Sequence, residues 1–177
     1  MKSVSEHEDS TAGTAMADVE MQIRGLMIDP LTNMPVVVLK DVASDTVLPI
    51  WVGIFEANAI ALELEKTAMP RPMTHDLLRN MARGLNAVVR KVVVSELRDD
   101  TFLAVIWMEQ DGEMVAIDAR PSDAIALALR WDCPVYASRA VLENAKQVAE
   151  GPQNASGEEM RQWLESLNDD DMGRYKM

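Results

Sequence analysis

The chain has 177 residues, of which 48% are hydrophobic and 26% are charged, as in a globular protein with one ordinary domain. Its formal net charge of −12 argues against a protein that wraps nucleic acid with its whole surface. The single cysteine, Cys133, excludes an intrachain disulfide and offers no zinc-binding pattern. No stretch has the apolar length of a signal peptide or of a membrane span, so we expect a cytoplasmic protein that is not embedded in a membrane.

The first part of the chain predicts a meander of three strands. Residues 1–18 are rich in Ser, Thr, Ala and Glu without periodicity, which indicates a flexible tail. Apolar and polar residues alternate over residues 19–28, the pattern of a half-buried strand. Two β-branched runs, 36–40 and 47–52, flank a polar turn and predict a hairpin.

The hydrophobic period then changes to that of helices. Residues 53–67 predict an amphipathic helix, which Pro70 and Pro72 end. Thr74 is a good N-cap for a second helix over residues 76–83.

A second set of three strands, a third helix, a short final strand and a further short helix follow. The three strands are predicted over residues 86–97, 102–109 and 113–118. The third helix is predicted over 121–131, the final strand over 133–136 and the further helix over 141–149. We expect an α+β fold with an antiparallel or mixed sheet formed by the meander and the second set, packed with three main helices.

Composition also predicts the domain organisation. Residues 1–18 form the tail, 19–148 the domain, 149–157 a Gly/Pro/Ser-containing linker, and 158–177 a C-terminal helix with an acidic end.

Three segments carry a resemblance to a known family. They are residues 48–53 (LPIWVG) leading to Glu56-Ala57, residues 71–78 (RPMTHDLL) and residues 117–128 (IDARPSDAIALA). Together they resemble the bifunctional nuclease (BFN) domain, also known as domain of unknown function 151, over roughly residues 19–148. The resemblance implies nuclease activity on DNA and RNA, as described chiefly for plant members, whereas bacterial members have mostly lacked a defined function.

The chain contains candidate groups for metal-assisted phosphodiester hydrolysis of low sequence specificity. Carboxylates hold the divalent metals of many nucleases, and Asp118, Asp123 and Glu56 could supply oxygen ligands to Mg²⁺ or Mn²⁺. His75 could act as the general base. No motif for an organic cofactor is present.

A local basic patch could bind the backbone of DNA or RNA. Residues 66–91 hold six Lys and Arg against the single Asp76, a net charge of +5. Within and beyond this segment, the candidate phosphate contacts are Arg71, Arg79, Arg83 and Arg120. The alternative is a solvated helix face with one ion pair between Asp76 and Arg79.

Each candidate also has a structural interpretation. Asp123 and Glu56 fall in the first turns of helices, where a carboxylate interacts with the helix N-terminus. Arg120 could brace the fold by pairing with Asp118 or with Glu56, and His75 could have a local structural role. The second functional hypothesis is therefore a non-catalytic binding or regulatory module with an architectural Asp/Arg motif.

An interface between two copies is a further possibility. The hydrophobic hairpin and Trp51 could pack a homodimer, although interior burial explains them equally well. Met69, Met73 and Met81 could mark an adaptable binding surface, and filling of a core or interface is their other interpretation. A small-molecule-binding dimer would need a concave apolar pocket.

Overall fold

The structure, a computed structural model, describes residues 18–150. Its elements in chain order are β1 (Val19–Ile28), β2 (Pro35–Asp41), β3 (Val47–Trp51), α1 (Ile54–Leu64), α2 (Thr74–Gly84), β4 (Ala87–Arg98), β5 (Thr101–Gln110), β6 (Glu113–Ala119), α3 (Pro121–Trp131), β7 (Val135–Ala137) and α4 (Arg139–Glu150). The predicted tail up to residue 17 and the predicted segments after residue 150 lie outside this range. None of the helices within it has the length and apolar character that crossing a membrane requires.

The described strands form one seven-stranded sheet in the order β3-β2-β1-β7-β4-β5-β6. The meander β1–β3 is antiparallel, as predicted, and the set β4–β6 is antiparallel as well. The short strand β7 joins them, because it pairs antiparallel with β1 and parallel with β4. The mixed sheet with its helices confirms the predicted α+β fold.

Helices α1 and α3 cover one face of the sheet through small side chains. Ala57 and Ala61 of α1 and Ala124 and Ala128 of α3 are all buried, and β-branched and aliphatic strand residues complete the same core. Alanine keeps the two helix axes close, which brings together the side chains that flank the buried stripe. The packing of α1 on α3 therefore positions the polar groups described below.

Helix α2 starts two residues before its predicted start, and its N-cap lies one residue before the predicted one. Met73, and not Thr74, is the N-cap, and Thr74 is the first helical residue. The Met73 N–H donates to Asp76 Oδ2 at 2.9 Å. The expectation of a Thr74 cap was wrong because this carboxylate satisfies a free donor of the helix start in place of a hydroxyl.

A buried carboxylate ties the β1–β2 turn to β3. Asp29 is 1% exposed and accepts hydrogen bonds from the Leu31 N–H (2.9 Å) and from Trp51 Nε1 (3.0 Å). Burial raises the pKa of Asp29, but bonds from Thr32, Trp51 and the turn outweigh it, so the pKa lies below its ordinary value. The polar edge of the Trp51 indole is therefore used within its own chain.

Candidate functional site

The first turns of three helices meet at one cluster of charged side chains. Glu56 lies in the first turn of α1, His75 in the first turn of α2 and Asp123 in the first turn of α3. Arg120, the N-cap of α3, lies between two of them. Because each helix presents its positive dipole end here, the site favours negative charge. We call Glu56, His75, Arg120 and Asp123 the three-helix cluster.

Arg120 links two carboxylates of this cluster. Its Nε donates to Asp123 Oδ2 at 2.7 Å and its Nη1 donates to Glu56 Oε1 at 2.8 Å. Pro121 at the first helical position fixes the backbone there and directs the chain from β6 into α3. Hydrogen bonds to Asp123 and Glu56 raise the pKa of Arg120. Of the two pairings considered from sequence, the structure shows the one with Glu56.

Arg120 is also open to solvent. Its side chain is 65% exposed, and its Nη2 makes no hydrogen bond to the residues described. A planar guanidinium with a free edge can donate to a phosphate oxygen without releasing the carboxylates it holds.

His75 forms the buried side of the cluster. It is 8% exposed, and its Nε2 lies 3.1 Å from Asp123 Oδ1. Burial raises the pKa of Asp123, but bonds from Arg120 and His75 outweigh it, so the pKa lies below its ordinary value. An ionised carboxylate only accepts, so Nε2 carries the proton and Nδ1 of a neutral ring keeps the lone pair.

Gly53 leaves space for the Glu56 side chain. A Cβ at position 53 would overlap the Glu56 carboxylate, which folds back over the helix start. A side chain at position 53 would therefore push the Glu56 carboxylate aside, although the backbone φ of −68° suits any residue.

Asp118 is not part of the three-helix cluster. It pairs in register with Val105 on β5, whereas the neighbouring Ala104 and Ile106 are buried beneath the helices. Because side chains alternate along a strand, Asp118 lies on the sheet face opposite to the helices. Its field contributes to the raised pKa of Arg98, after the larger effect of Glu96. The structure brings Glu56 and Asp123 together and leaves Asp118 apart.

The arginines of the basic segment separate into different environments. Arg71 and Arg79 line a cavity of about 300 Å³ beside α2, together with Asp76 and Arg130. The Arg83 guanidinium lies 4.9 Å from the centre of the Trp131 ring. The arginines of the predicted basic patch therefore lie in different structural environments.

The alternative interpretation of this segment paired Asp76 with Arg79, whereas the structure pairs Asp76 with Arg130. Asp76 Oδ1 accepts from Arg130 Nε at 2.7 Å, and Arg79 Nη1 donates to the Arg130 carbonyl at 3.4 Å. Arg130 is buried and also donates to the carbonyls of Ala126 (2.8 Å) and Ala59 (3.1 Å). The buried guanidinium of Arg130 needs a counter-ion, and α3 places it within hydrogen-bond distance of Asp76.

Sequence reasoning did not identify Phe55 or Arg130. Phe55 is 84% exposed and precedes Glu56, so an aromatic ring faces solvent next to the cluster. Its signal is an aromatic residue outside the buried stripe of α1. Arg130 is signalled by a basic residue on the apolar face of α3.

The side chains of the three-helix cluster, as they are paired, do not form an open site for a metal ion. In the described range, no group of three His, Cys, Asp or Glu side chains is placed to hold an ion. Glu56 and Asp123 share Arg120 as their counter-ion, so a metal ion would have to displace a guanidinium.

The comparisons with known proteins agree on one family. A family model described as the bifunctional nuclease domain matches residues 37–150. An uncharacterized protein of Mycobacterium tuberculosis is 33% identical over 161 residues, which cover 86% of this chain and 96% of that protein. Bifunctional nuclease 1 of Oryza sativa subsp. indica is 26% identical over 119 residues, 66% of this chain and 36% of the plant protein.

Bifunctional nuclease 1 of Arabidopsis thaliana is 27% identical over 109 residues, 59% of this chain and 34% of that protein. The aligned region is thus about a third of each of these two plant proteins. The match covers well over half of this chain and includes all three segments that carried the resemblance. The chain belongs to the bifunctional nuclease domain family.

Proposed function

We propose that the protein is a nuclease that hydrolyses phosphodiester bonds of DNA or RNA with low sequence specificity at the three-helix cluster. The observation that carries the proposal is the meeting of three helix N-terminal turns around the exposed Arg120. Such a site favours the negative charge that builds up on a phosphate during hydrolysis. The family name of the plant relatives points to the same reaction.

The cluster offers a division of roles. Arg120 would hold a phosphate oxygen through its free edge, and Glu56 and Asp123 would keep the guanidinium in place. His75 would accept a proton from the attacking water at Nδ1, with Asp123 orienting the ring through Nε2. Phe55 would stack on a base of the substrate, which suits a single strand and is tolerant of sequence.

The test is a nuclease assay on highly purified full-length protein with single-stranded and double-stranded DNA and RNA. Arg120→Lys should lower kcat/KM by about 10²–10³-fold, the cost of losing a transition-state donor. His75→Asn should lower it by about 10²–10⁴-fold. Arg98→Lys is the matched control, because Arg98 forms an exposed ion pair with Glu96 away from the cluster. Activity that survives both cluster substitutions would refute the proposal.

Assistance by Mg²⁺ or Mn²⁺ stays a prediction, and the same assay with and without EDTA tests it. Loss of activity in EDTA that returns with Mg²⁺ would require a metal site other than the three-helix cluster. Unchanged activity in EDTA would mean that the side chains of the cluster catalyse hydrolysis without a metal ion. The proposed compartment is the cytoplasm, in keeping with the lone Cys133.

The alternative proposal is a non-catalytic binding or regulatory module. It is favoured by the saturation of the cluster, since each carboxylate already has a charged partner. In that case Arg120→Lys would lower the free energy of unfolding while the wild type showed no hydrolysis above a blank preparation. Thermal unfolding of the same variants separates the two proposals.

A further inference from the structure

The cavity beside α2 is separate from the three-helix cluster. Its walls are the end of α1, the connection from α1 to α2, and the first half of α2. None of the four residues of the three-helix cluster lines it. Its volume of about 300 Å³ is at the lower end of the range of about 300–1,000 Å³ that small-molecule sites have. The cavity is therefore large enough for a ligand that the proposed function does not use.

The connection between the two helices forms a defined wall of this cavity. The Thr67 N–H donates to the Leu62 carbonyl at 2.9 Å and closes the end of α1. Pro70 and Pro72 have fixed φ angles, which limits the conformations of the connection. The shape of the cavity thus depends on backbone structure as well as on side chains.

Arg130 is the most buried charged side chain of the lining and has no free donor edge. Its Nε donates to Asp76 at 2.7 Å, and its two Nη atoms donate to the carbonyls of Ala126 (2.8 Å) and Ala59 (3.1 Å). Since the side chain is only 2% exposed, it supports the cavity and is not available to a ligand.

Two other arginines of the lining have no counter-ion. The acidic side chains of the lining are already paired within 3 Å, Glu63 with Lys66 and Asp76 with Arg130. Within the part of the chain that the structure describes, Arg71 and Arg79 form no ion pair. Two positive charges are therefore left over at the cavity, and they attract an anion.

Arg79 makes few hydrogen bonds for a partly buried guanidinium. Its Nε is buried and has no acceptor among the described residues, and its Nη1 donates to the Arg130 carbonyl at 3.4 Å, which is long. A guanidinium has five N–H donors, and a buried donor without an acceptor costs free energy. A ligand oxygen in the cavity would supply acceptors as this weakly held guanidinium turns toward it.

We propose that the cavity binds a phosphate monoester through Arg71 and Arg79. A monoester carries a charge of about −1.5 to −2 at pH 7 and has three acceptor oxygens, which matches two unpaired guanidinium groups. A carboxylate has one negative charge and would leave one arginine unpaired. Thr67 and Asn80 also line the cavity and can bond to the hydroxyl groups of a sugar. A free nucleotide and the 5′-phosphorylated end of a nucleic acid strand both have this chemistry.

Isothermal titration calorimetry on the full chain tests the proposal with AMP, inorganic phosphate and adenosine. We expect AMP to bind with a Kd of about 0.1–1 mM, the strength of a few charge-assisted hydrogen bonds, whereas adenosine should not bind. Inorganic phosphate should bind more weakly than AMP. Arg71→Gln and Arg79→Gln should each weaken AMP binding by about 10–100-fold. Arg98→Gln is the matched control, because Arg98 forms an exposed ion pair with Glu96 away from the cavity.

Three results would overturn the proposal. The first is AMP that releases no heat of binding at concentrations well above the expected Kd. The second is an AMP affinity that Arg71→Gln and Arg79→Gln leave unchanged, and if Arg120→Lys alone weakens it, AMP binds at the three-helix cluster. The third is adenosine that binds as tightly as AMP, because the phosphate would then contribute nothing.

Arg71→Gln keeps the test decisive if Arg79→Gln does not fold. Arg71 is exposed and has no ion pair among the described residues, so its replacement should leave thermal unfolding unchanged. Binding is measured without any hydrolysis. AMP binding in a protein that shows no nuclease activity would therefore refute the proposed function and support the phosphate site.

Competition against AMP identifies the source of the phosphate. The competitors are thymidine octanucleotides with and without a 5′-phosphate, linked by phosphorothioates that resist cleavage. Displacement by the 5′-phosphorylated form alone assigns the cavity to the end of a strand. Displacement by neither form assigns it to a free nucleotide. Equal displacement by both forms contradicts the proposal, because internal diesters would then bind as well as a monoester.

Discussion

Replacement of Asp76 by alanine leaves the buried Arg130 without its counter-ion. The Arg130 side chain is 2% exposed and the Asp76 side chain 22% exposed, and their 2.7 Å bond joins α3 to α2. Removing one partner of a buried pair costs about 3–5 kcal/mol, and the partial exposure of Asp76 places this case near 3. Loss of the bond to the Met73 N–H adds about 1 kcal/mol, as for a helix cap.

Urea unfolding followed by circular dichroism measures the expected total of about 4 kcal/mol. For a domain of this size, with a dependence of about 2 kcal/mol per M urea, the midpoint should fall by about 2 M. Glu109→Ala is the control, because it breaks an exposed pair with Arg90 and should cost less than about 1 kcal/mol. The reasoning is refuted if Asp76→Ala costs no more than this control.

A double-mutant cycle isolates the cause of the loss. Asp76→Ala/Arg130→Met removes both charges, so no unpaired ion stays buried. The double variant should therefore lose less than the sum of the two single losses. Simple additivity would mean that the two side chains act independently.

The pH dependence of stability provides a second check on Asp76. Burial raises its pKa, but bonds from Met73 and Arg130 outweigh it, and the pKa lies below the ordinary 3.8. A depressed pKa in the folded state gives stability that is present above pH 4 and is lost as pH falls through the folded-state pKa. The wild type should therefore lose stability below pH 4 more steeply than Asp76→Ala.

Three further predictions concern the site and its surroundings. Gly53→Ala should displace the Glu56 carboxylate from Arg120 and lower nuclease activity, whereas Gly84→Ala, with open space around its Cβ, should leave activity unchanged in the same assay. Asp118→Asn should keep wild-type kcat/KM because it lies on the opposite sheet face, and a loss of tenfold or more would contradict that placement. Burial raises the pKa of Cys133 to about 11, so alkylation by iodoacetamide should be slow at pH 7 and accelerate toward pH 11, and fast labelling at neutral pH would contradict this.

Most of the fold was predictable because its elements have strong local periodicity. Alternation over β1 and β4–β6 and the helical spacing of α1 and α3 each indicated the observed element. The position of the three-residue β7 between β1 and β4 was not predictable, since local pattern does not encode the partner of a short strand. The exact start of α2 depended on a side chain three residues away.

The site was predictable in its residues and less so in its contacts. The first-turn positions of Glu56 and Asp123 follow from helix signals that the sequence displays. The bond between His75 and Asp123 joins residues 48 apart, and spacing rules describe neighbours three or four apart. Asp118 precedes Arg120 by two residues, but the strand ends between them, and the chain leaves the sheet for α3.

The three-residue strand β7 sets the order in which the protein can be completed during synthesis. β1–β3 and β4–β6 can each form local hairpins as they leave the ribosome. They become one sheet only after residues 135–137 emerge, because β7 is the strand between β1 and β4. Nascent chains halted before residue 135 should carry two separate hairpin units, each with an unpaired inner edge that a chaperone or a neighbouring chain can reach.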